Sequence, residues 1–309
     1  MDPARDWLEV ARGSFVGVGP TEPADKIPPV SITSVSVLPY GLTLDAILVV
    51  GITVLVTATP LLPAPAQIGA AAGIASLALV AWFKRCRAAA PVGVFCVVSL
   101  GLALSGVHYS QLVLGVGLLM YAVVVRRVPW LRGVATWVRW GSFGPDVRVL
   151  TTASGLIAAV ALSGWYLLLH PNIDDIVQTF VPDVPLGLLI AGGLVFSMVN
   201  AAVEEGAYRG VLLHGLDTTL GPGLAALALQ AMAFGALHVQ GFPRGSIGVG
   251  LASIYGLFMG VIRRRAGGMF APWMAHVFTD VVIAGIVVTI GRPNIALHPT
   301  AAWILSGPG

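Results

Sequence analysis

The chain has 309 residues, of which 57% are hydrophobic and only 10% are charged, and its formal net charge is +3. Its mean hydropathy is +0.89. A soluble domain needs many more charged residues to cover its surface, so this composition excludes a soluble globular protein and indicates a polytopic membrane protein. The cationic residues flank apolar segments, so we interpret the positive charge as a topology signal and exclude nucleic-acid binding.

Apolar stretches follow one another without the alternation of apolar and polar residues that a membrane β-barrel shows. Backbone polar groups in lipid must bond within their own element, so we expect an all-α bundle of eight or nine transmembrane helices in the cell membrane. The predicted helices cover residues 43–62, 66–83, 90–105, 109–125, 150–169, 185–203 or beyond, 222–240, 247–262 and 270–290.

We divide the chain into four parts. Residues 1–40 are predicted to form a cytoplasmic N-terminal tail, and residues 41–148 a first set of membrane helices with a basic interfacial segment. Residues 149–290 form a second membrane domain, and residues 291–309 a C-terminal tail.

Three basic loops determine the predicted orientation. They contain the cationic residues of 84–87, 126–139 and 263–265, after the second, fourth and eighth apolar segments. If nine segments alternate, these loops share one side, which the positive-inside rule places in the cytoplasm together with the N-terminus. The second loop contains Trp130, Trp137 and Trp140. Such residues favour the headgroup level, in an interfacial helix or in a simple anchoring loop.

The last four apolar segments carry ionisable residues. A charge at the bilayer centre costs roughly 2.5–3.5 kcal/mol on insertion scales, so several charges without partners would be heavily penalised. The economical interpretation is that they partner one another around a single polar cavity inside the bundle. These residues are Glu204, Glu205, Arg209, His238, His276 and Asp280.

Helical spacing supports this convergence. Glu205 and Arg209 are four residues apart, so they share a helix face and can form an ion pair. His276 and Asp280 have the same spacing, so the carboxylate can hold the imidazole in one tautomer. An aromatic ring, that of Phe234, lies one helical turn before the other histidine.

The convergence also predicts an unusually long helix. Hydropathy alone ends the acid-bearing segment near Val203, whereas His238 lies toward the far end of the next segment, and residues at those depths could not meet. The sequence GVLLHGL after Arg209 is apolar too. We therefore expect this helix to continue to about Leu220, which brings Glu204 to mid-depth.

Three strings in this order resemble the motifs of the CPBP family, the CAAX-protease and bacteriocin-processing intramembrane proteases. EEGAYR at 204–209 resembles E-E-x-x-x-R, FGALH at 234–238 resembles F-x-x-x-H, and HVFTD at 276–280 resembles H-x-x-x-N or H-x-x-x-D. The resemblance covers about residues 185–290. It implies a fold similar to type II CAAX prenyl endopeptidases, with a conical bundle whose water-filled chamber opens to the cytoplasm and the bilayer.

The resemblance implies an intramembrane endopeptidase of the CPBP type, with residues 149–290 as its catalytic domain. It would hydrolyse a peptide bond of a membrane-associated protein or peptide through an activated water. Glu204 is the expected general base, with His238 holding the water, and His276 the expected donor to the oxyanion. Glu205 and Arg209 are expected to form a buried ion pair that orients the helix.

The resemblance determines neither the role of Asp280 nor whether a metal cofactor is required. An ionised aspartate cannot donate the hydrogen bond that the asparagine form of the motif provides, so we expect Asp280 to polarise His276, or to donate only when protonated. The family is named for metalloproteases, although a glutamate-activated water without an obligatory metal describes its structural member better. Zinc is one alternative, although the compact H-E-x-x-H motif is absent from the sequence. The candidate zinc ligands are Glu204, His238, His276 and Asp280.

Two other functions stay open. Intramembrane acids and histidines also build the proton relays of transporters and channels, although the sequence shows no inverted repeat. A family member without hydrolysis would instead serve as a scaffold or immunity protein, although all three motifs are intact. In each case the partners are the lipid bilayer and, for the protease, a membrane-associated substrate.

Overall fold

The structure is a computed structural model that describes residues 43–107 and 109–292. These residues form helices and no strand. The predicted tails, residues 1–40 and 291–309, lie outside the described residues except for residues 291 and 292. The helices are α1 Leu44–Ala58, α2 Ala64–Phe83, α3 Ala89–Leu104, α4 Ser110–Arg127, α5 Pro145–Leu169, α6 Asp174–Phe180, α7 Leu186–Glu205, α8 Leu213–Leu220, α9 Leu224–Leu237, α10 Gly245–Ala266 and α11 Phe270–Gly291.

Within the described residues, seven helical spans are long and apolar enough to cross a membrane. Two further apolar helices, α3 and α9, are shorter, and a full bilayer crossing needs about 20 apolar residues. The predicted all-helical membrane bundle is confirmed, and its segments match the predicted positions closely. The predicted number of eight or nine is not confirmed, because it depends on whether these two short helices cross.

The three basic loops meet at one end of the bundle. The guanidinium of Arg87 donates to the carbonyl oxygen of Arg132 at 3.2 Å, which joins the first loop to the second. The backbone N–H of Met269 donates to the carbonyl oxygen of Arg139 at 2.9 Å, which joins the second loop to the third. We call this end the basic end and the opposite end, where α6 lies, the α6 end. The basic end comprises residues 84–87, 128–144 and 263–269.

Apolar side chains fill the bundle near the basic end. Leu213 and Leu216 of α8 are fully buried and belong to one cluster with Val49 of α1. Met259 of α10 packs in another cluster with Ala271 of α11. Burial of such side chains is the main favourable contribution to helix packing in this layer, and it holds α8, α10 and α11 in fixed relative positions.

The tryptophan-rich loop closes the basic end without forming the interfacial helix considered from the sequence. Apart from the 3₁₀ turn Pro129–Leu131, residues 128–144 consist of turns and extended segments, so the helix alternative is wrong and the loop alternative holds. Trp137 donates from its indole N–H to the hydroxyl of Tyr121 at 3.1 Å. Its ring covers Gly210, where an added Cβ would lie 2.6 Å from the ring. The loop therefore packs directly against the acid-bearing helix.

Candidate active site

The acidic motif lies on one helical span of 35 residues, Leu186–Leu220. This confirms the predicted extension past Arg209 and places Glu204 near the middle of the span. The segment Gly206–Leu212, which joins α7 to α8, is π-helical, and all seven of its residues are buried. Short π-helical segments are rare and occur frequently at functional sites.

Glu205 connects two helices through one carboxylate oxygen. The Nη1 of Arg209 donates to Oε1 of Glu205 at 2.7 Å, and the two side chains are 0% and 1% exposed. The Nδ1 of His276 lies 2.8 Å from the same oxygen. An ionised carboxylate only accepts hydrogen bonds, so Nδ1 carries a hydrogen in this arrangement. The predicted ion pair is therefore present, and it also holds the histidine of α11.

The other ring nitrogen of His276 faces two further carboxylates. Its Nε2 lies 3.6 Å from Oε2 of Glu204 and 3.6 Å from Oδ1 of Asp280. Both separations are longer than a direct hydrogen bond, so Nε2 is close to two carboxylates without being bonded to either. His276 is thus surrounded by acids on α7 and on its own helix.

The ring of Phe234 is the common apolar neighbour of the charged and basic groups. The guanidinium carbon of Arg209 lies 4.4 Å from its centroid, a cation–π arrangement. The ring centroids of His238 and His276 lie 4.8 Å and 5.9 Å from it. Because Phe234 is only 2% exposed, it fixes the positions of these groups by packing.

His238 ends α9 and has a defined tautomer. Its Nδ1 lies 3.0 Å from the carbonyl oxygen of Phe234 and therefore donates to it. The remaining nitrogen, Nε2, is then an acceptor in the neutral ring. The spacing of four residues that places the ring of Phe234 one turn before His238 also places the carbonyl oxygen of Phe234 within reach of the imidazole.

One cavity of about 820 Å³ brings these polar groups together. Four of the six predicted site residues line it, and they are Glu204, His238, His276 and Asp280. We call these four residues the polar wall of the cavity. The other two, Glu205 and Arg209, are buried behind it. Most of the remaining lining is apolar and includes Leu188, Phe196 and Val287. The structure thus brings all six predicted residues to one place.

Two further polar residues line the cavity next to the polar wall, and they were not found from the sequence. Asn200 donates from Nδ2 to Oδ2 of Asp280 at 3.0 Å, and its own Oδ1 accepts from Nε2 of Gln111 at 2.8 Å. Both line the cavity. Asn200 lies four residues before Glu204 on an apolar helix, so the same spacing argument could have identified it. Gln111 lies in the first turn of α4, in the other half of the chain, and no local pattern indicates it.

Among residues 43–107 and 109–292, no group of three or more His, Cys, Asp or Glu side chains is arranged to hold a metal ion. The four candidate zinc ligands, Glu204, His238, His276 and Asp280, stay a prediction from the sequence.

The fold and this site define a class, a helical membrane bundle with an acid–histidine cluster buried inside it. Within that class, the model of the type II CAAX prenyl endopeptidase Rce1-like family matches residues 186–282. The match begins at the first residue of α7 and includes all three motifs, so the resemblance predicted from them is confirmed for this segment. No curated protein and no solved structure matches the chain.

Proposed function

We propose that the protein is an intramembrane endopeptidase that hydrolyses a peptide bond of a membrane-associated protein or peptide. The observation that carries the proposal is the shared cavity of Glu204, His238 and His276 inside a membrane bundle. The match of residues 186–282 to a protease family supports the same reaction class.

In the proposed mechanism Glu204 is the general base. A water lies between its carboxylate and the accepting Nε2 of His238 and loses a proton to Glu204 as its oxygen attacks the peptide carbonyl carbon. The carbon–nitrogen bond then breaks, and Glu204 returns the proton to the departing amine. Glu205 and Arg209 do not touch the substrate; they orient the helix and His276.

Stabilisation of the oxyanion falls to His276 and its neighbours. Since Nδ1 of His276 donates to Glu205, its Nε2 can donate to the oxyanion only in the doubly protonated ring, whose charge Asp280 balances while Glu204 holds the proton of the water. Asp280 accepts from Asn200 and polarises the histidine. The Nδ2 of Asn200 has a second hydrogen, which supplies the amide donor that an ionised Asp280 lacks.

The test compares the termini of membrane proteins in cells that express the wild-type chain or the Glu204→Gln variant. Removal of a general base lowers the rate about 10²–10⁴-fold, so the variant should accumulate at least one uncut precursor. Asp146→Asn is the matched control, because this carboxylate is exposed in the first turn of α5 at the basic end, and neither it nor its chain neighbours line the cavity. Identical termini in the wild type and in Glu204→Gln would contradict the proposal.

The alternatives give different results. Cleavage of the identified precursor in metal-free buffer with a strong chelator would exclude zinc, whereas loss of cleavage with recovery on adding zinc would support the zinc alternative. A transporter or channel would move a solute or protons in liposomes and leave every peptide intact. In our proposal residues 149–290 are the catalytic domain, and residues 41–148 support it through Gln111.

A further inference from the structure

Positive charge is distributed very unequally between the two ends of the bundle. Lys and Arg residues from three loops lie at the basic end. At the α6 end the described residues include two arginines, and each is paired with an acid. Arg244 lies 2.9 Å from Asp175, and Arg292 lies 3.3 Å from Asp183. By the positive-inside rule the basic end is cytoplasmic and the α6 end is not.

The cavity extends from the polar wall toward the α6 end. Its lining there includes Ile176 and Thr179 of α6, Pro243 of the α9–α10 loop and Val288 of α11. On the other side of the polar wall, packed apolar clusters separate it from the basic end; one of them contains Ile262. The polar groups are thus reached from the half of the bundle that lies away from the basic loops.

Two expectations from the sequence are therefore incompatible. The resemblance implied a chamber that opens to the cytoplasm, whereas the cationic loops implied a cytoplasmic basic end. The cavity lies on the side opposite these loops, so only one of the two can be correct. The charge distribution favours the second, because it involves three separate loops that contact one another.

We infer that the cavity is reached from the non-cytoplasmic side of the membrane. This inference rests on the proposed function only in naming what enters the cavity, a peptide. The substrate class is then a segment of an exported or membrane-anchored polypeptide that is presented from the non-cytoplasmic leaflet. The walls formed by Leu188, Phe196 and Val287 favour apolar side chains next to the cleaved bond.

The experiment labels single cysteines from one side of the membrane. The chain has only two cysteines, Cys86 and Cys96, and both are replaced by alanine in the background protein. Val138→Cys reports on the basic end, where Val138 is 64% exposed. Thr179→Cys reports on the mouth of the cavity, where Thr179 is exposed on α6. Neither substitution changes a charge, so neither should alter the topology.

Intact spheroplasts are treated with a membrane-impermeant maleimide, before or after lysis. We expect the Thr179→Cys variant to be labelled in intact spheroplasts and the Val138→Cys variant only after lysis. The reverse pattern, labelling of both in intact spheroplasts, or labelling of neither before lysis would overturn the inference. The labelling requires no peptide cleavage, and repeating it with Glu204→Gln should leave the pattern unchanged, so its result is independent of the proposed function.

Discussion

At the residue scale, Glu205 holds two other residues of the site in place although it does not line the cavity itself. One of its oxygens accepts from both Arg209 and His276. The Nε and Nη2 atoms of Arg209 are buried without a hydrogen-bond partner among the described residues. The guanidinium therefore depends on Glu205 and on the ring of Phe234, and a change at any of these residues should disturb the others.

Arg209→Ala should lower the stability of the bundle. The substitution leaves a buried carboxylate without its cation, and breaking a buried ion pair in this way costs about 3–5 kcal/mol. We expect a clearly lower thermal unfolding temperature in detergent. Arg265→Ala is the control, because this arginine is exposed. Equal unfolding temperatures for the two variants would show that the buried pair contributes nothing to stability.

Asn200→Ala should slow cleavage while the bundle stays folded. It leaves the amide of Gln111 and one oxygen of Asp280 without partners, and a hydrogen bond to a charged group contributes about 1.5–3 kcal/mol. If that energy acts on the transition state, the rate falls about tenfold to a hundredfold. The measurement is the ratio of cut to uncut form of the precursor that accumulates in Glu204→Gln.

The matched control for this prediction is Ser197→Ala on the same helix. The hydroxyl of Ser197 is buried, and it donates only to the carbonyl oxygen of Gly193 in its own helix, at 2.8 Å. Its removal should leave the cut fraction unchanged. If both variants cleave as well as the wild type, Asn200 has no part in the reaction.

At the element scale, the long span from α7 to α8 positions the site. It carries Asn200, Glu204, Glu205 and Arg209, so four polar groups depend on one helix being correctly placed. The π-helical segment Gly206–Leu212 lies directly after the two glutamates, and the loop residue Trp137 packs against it at Gly210. A loop of the basic end thus packs against the helix directly after the two glutamates.

Gly210→Ala should destabilise this contact. The new Cβ would lie 2.6 Å from the ring of Trp137, so the ring must move away and lose its bond to Tyr121. Overpacking of this kind costs about 1–3 kcal/mol, so we expect a lower unfolding temperature in detergent. Gly187→Ala on α7 is the control, because a Cβ there meets nothing within 4 Å and alanine favours the helix. A loss of stability in both variants alike would contradict the proposed role of the contact.

At the scale of the whole molecule, the bundle has a packed half and a hollow half. Apolar clusters fill the part next to the basic end, whereas the cavity occupies the part toward α6. The polar residues lie between the two. This arrangement puts packed apolar side chains between the site and the basic end, and leaves on the other side a cavity lined mainly by apolar side chains.

The sequence by itself determined the membrane class, the helix positions and the six residues that converge. Hydropathy and helical spacing are local properties, and they act over one or two turns of a single helix. The requirement that Glu204 and His238 meet added a constraint between two helices, and it correctly predicted a helix reaching Leu220.

Only the tertiary structure decided which helices meet and on which side the cavity lies. The bond between Gln111 and Asn200 joins residues 89 positions apart, and the contact of Trp137 with Gly210 joins a loop to a helix. Side-chain patterns within one helix carry no information about such contacts, because they depend on how separate helices pack against each other.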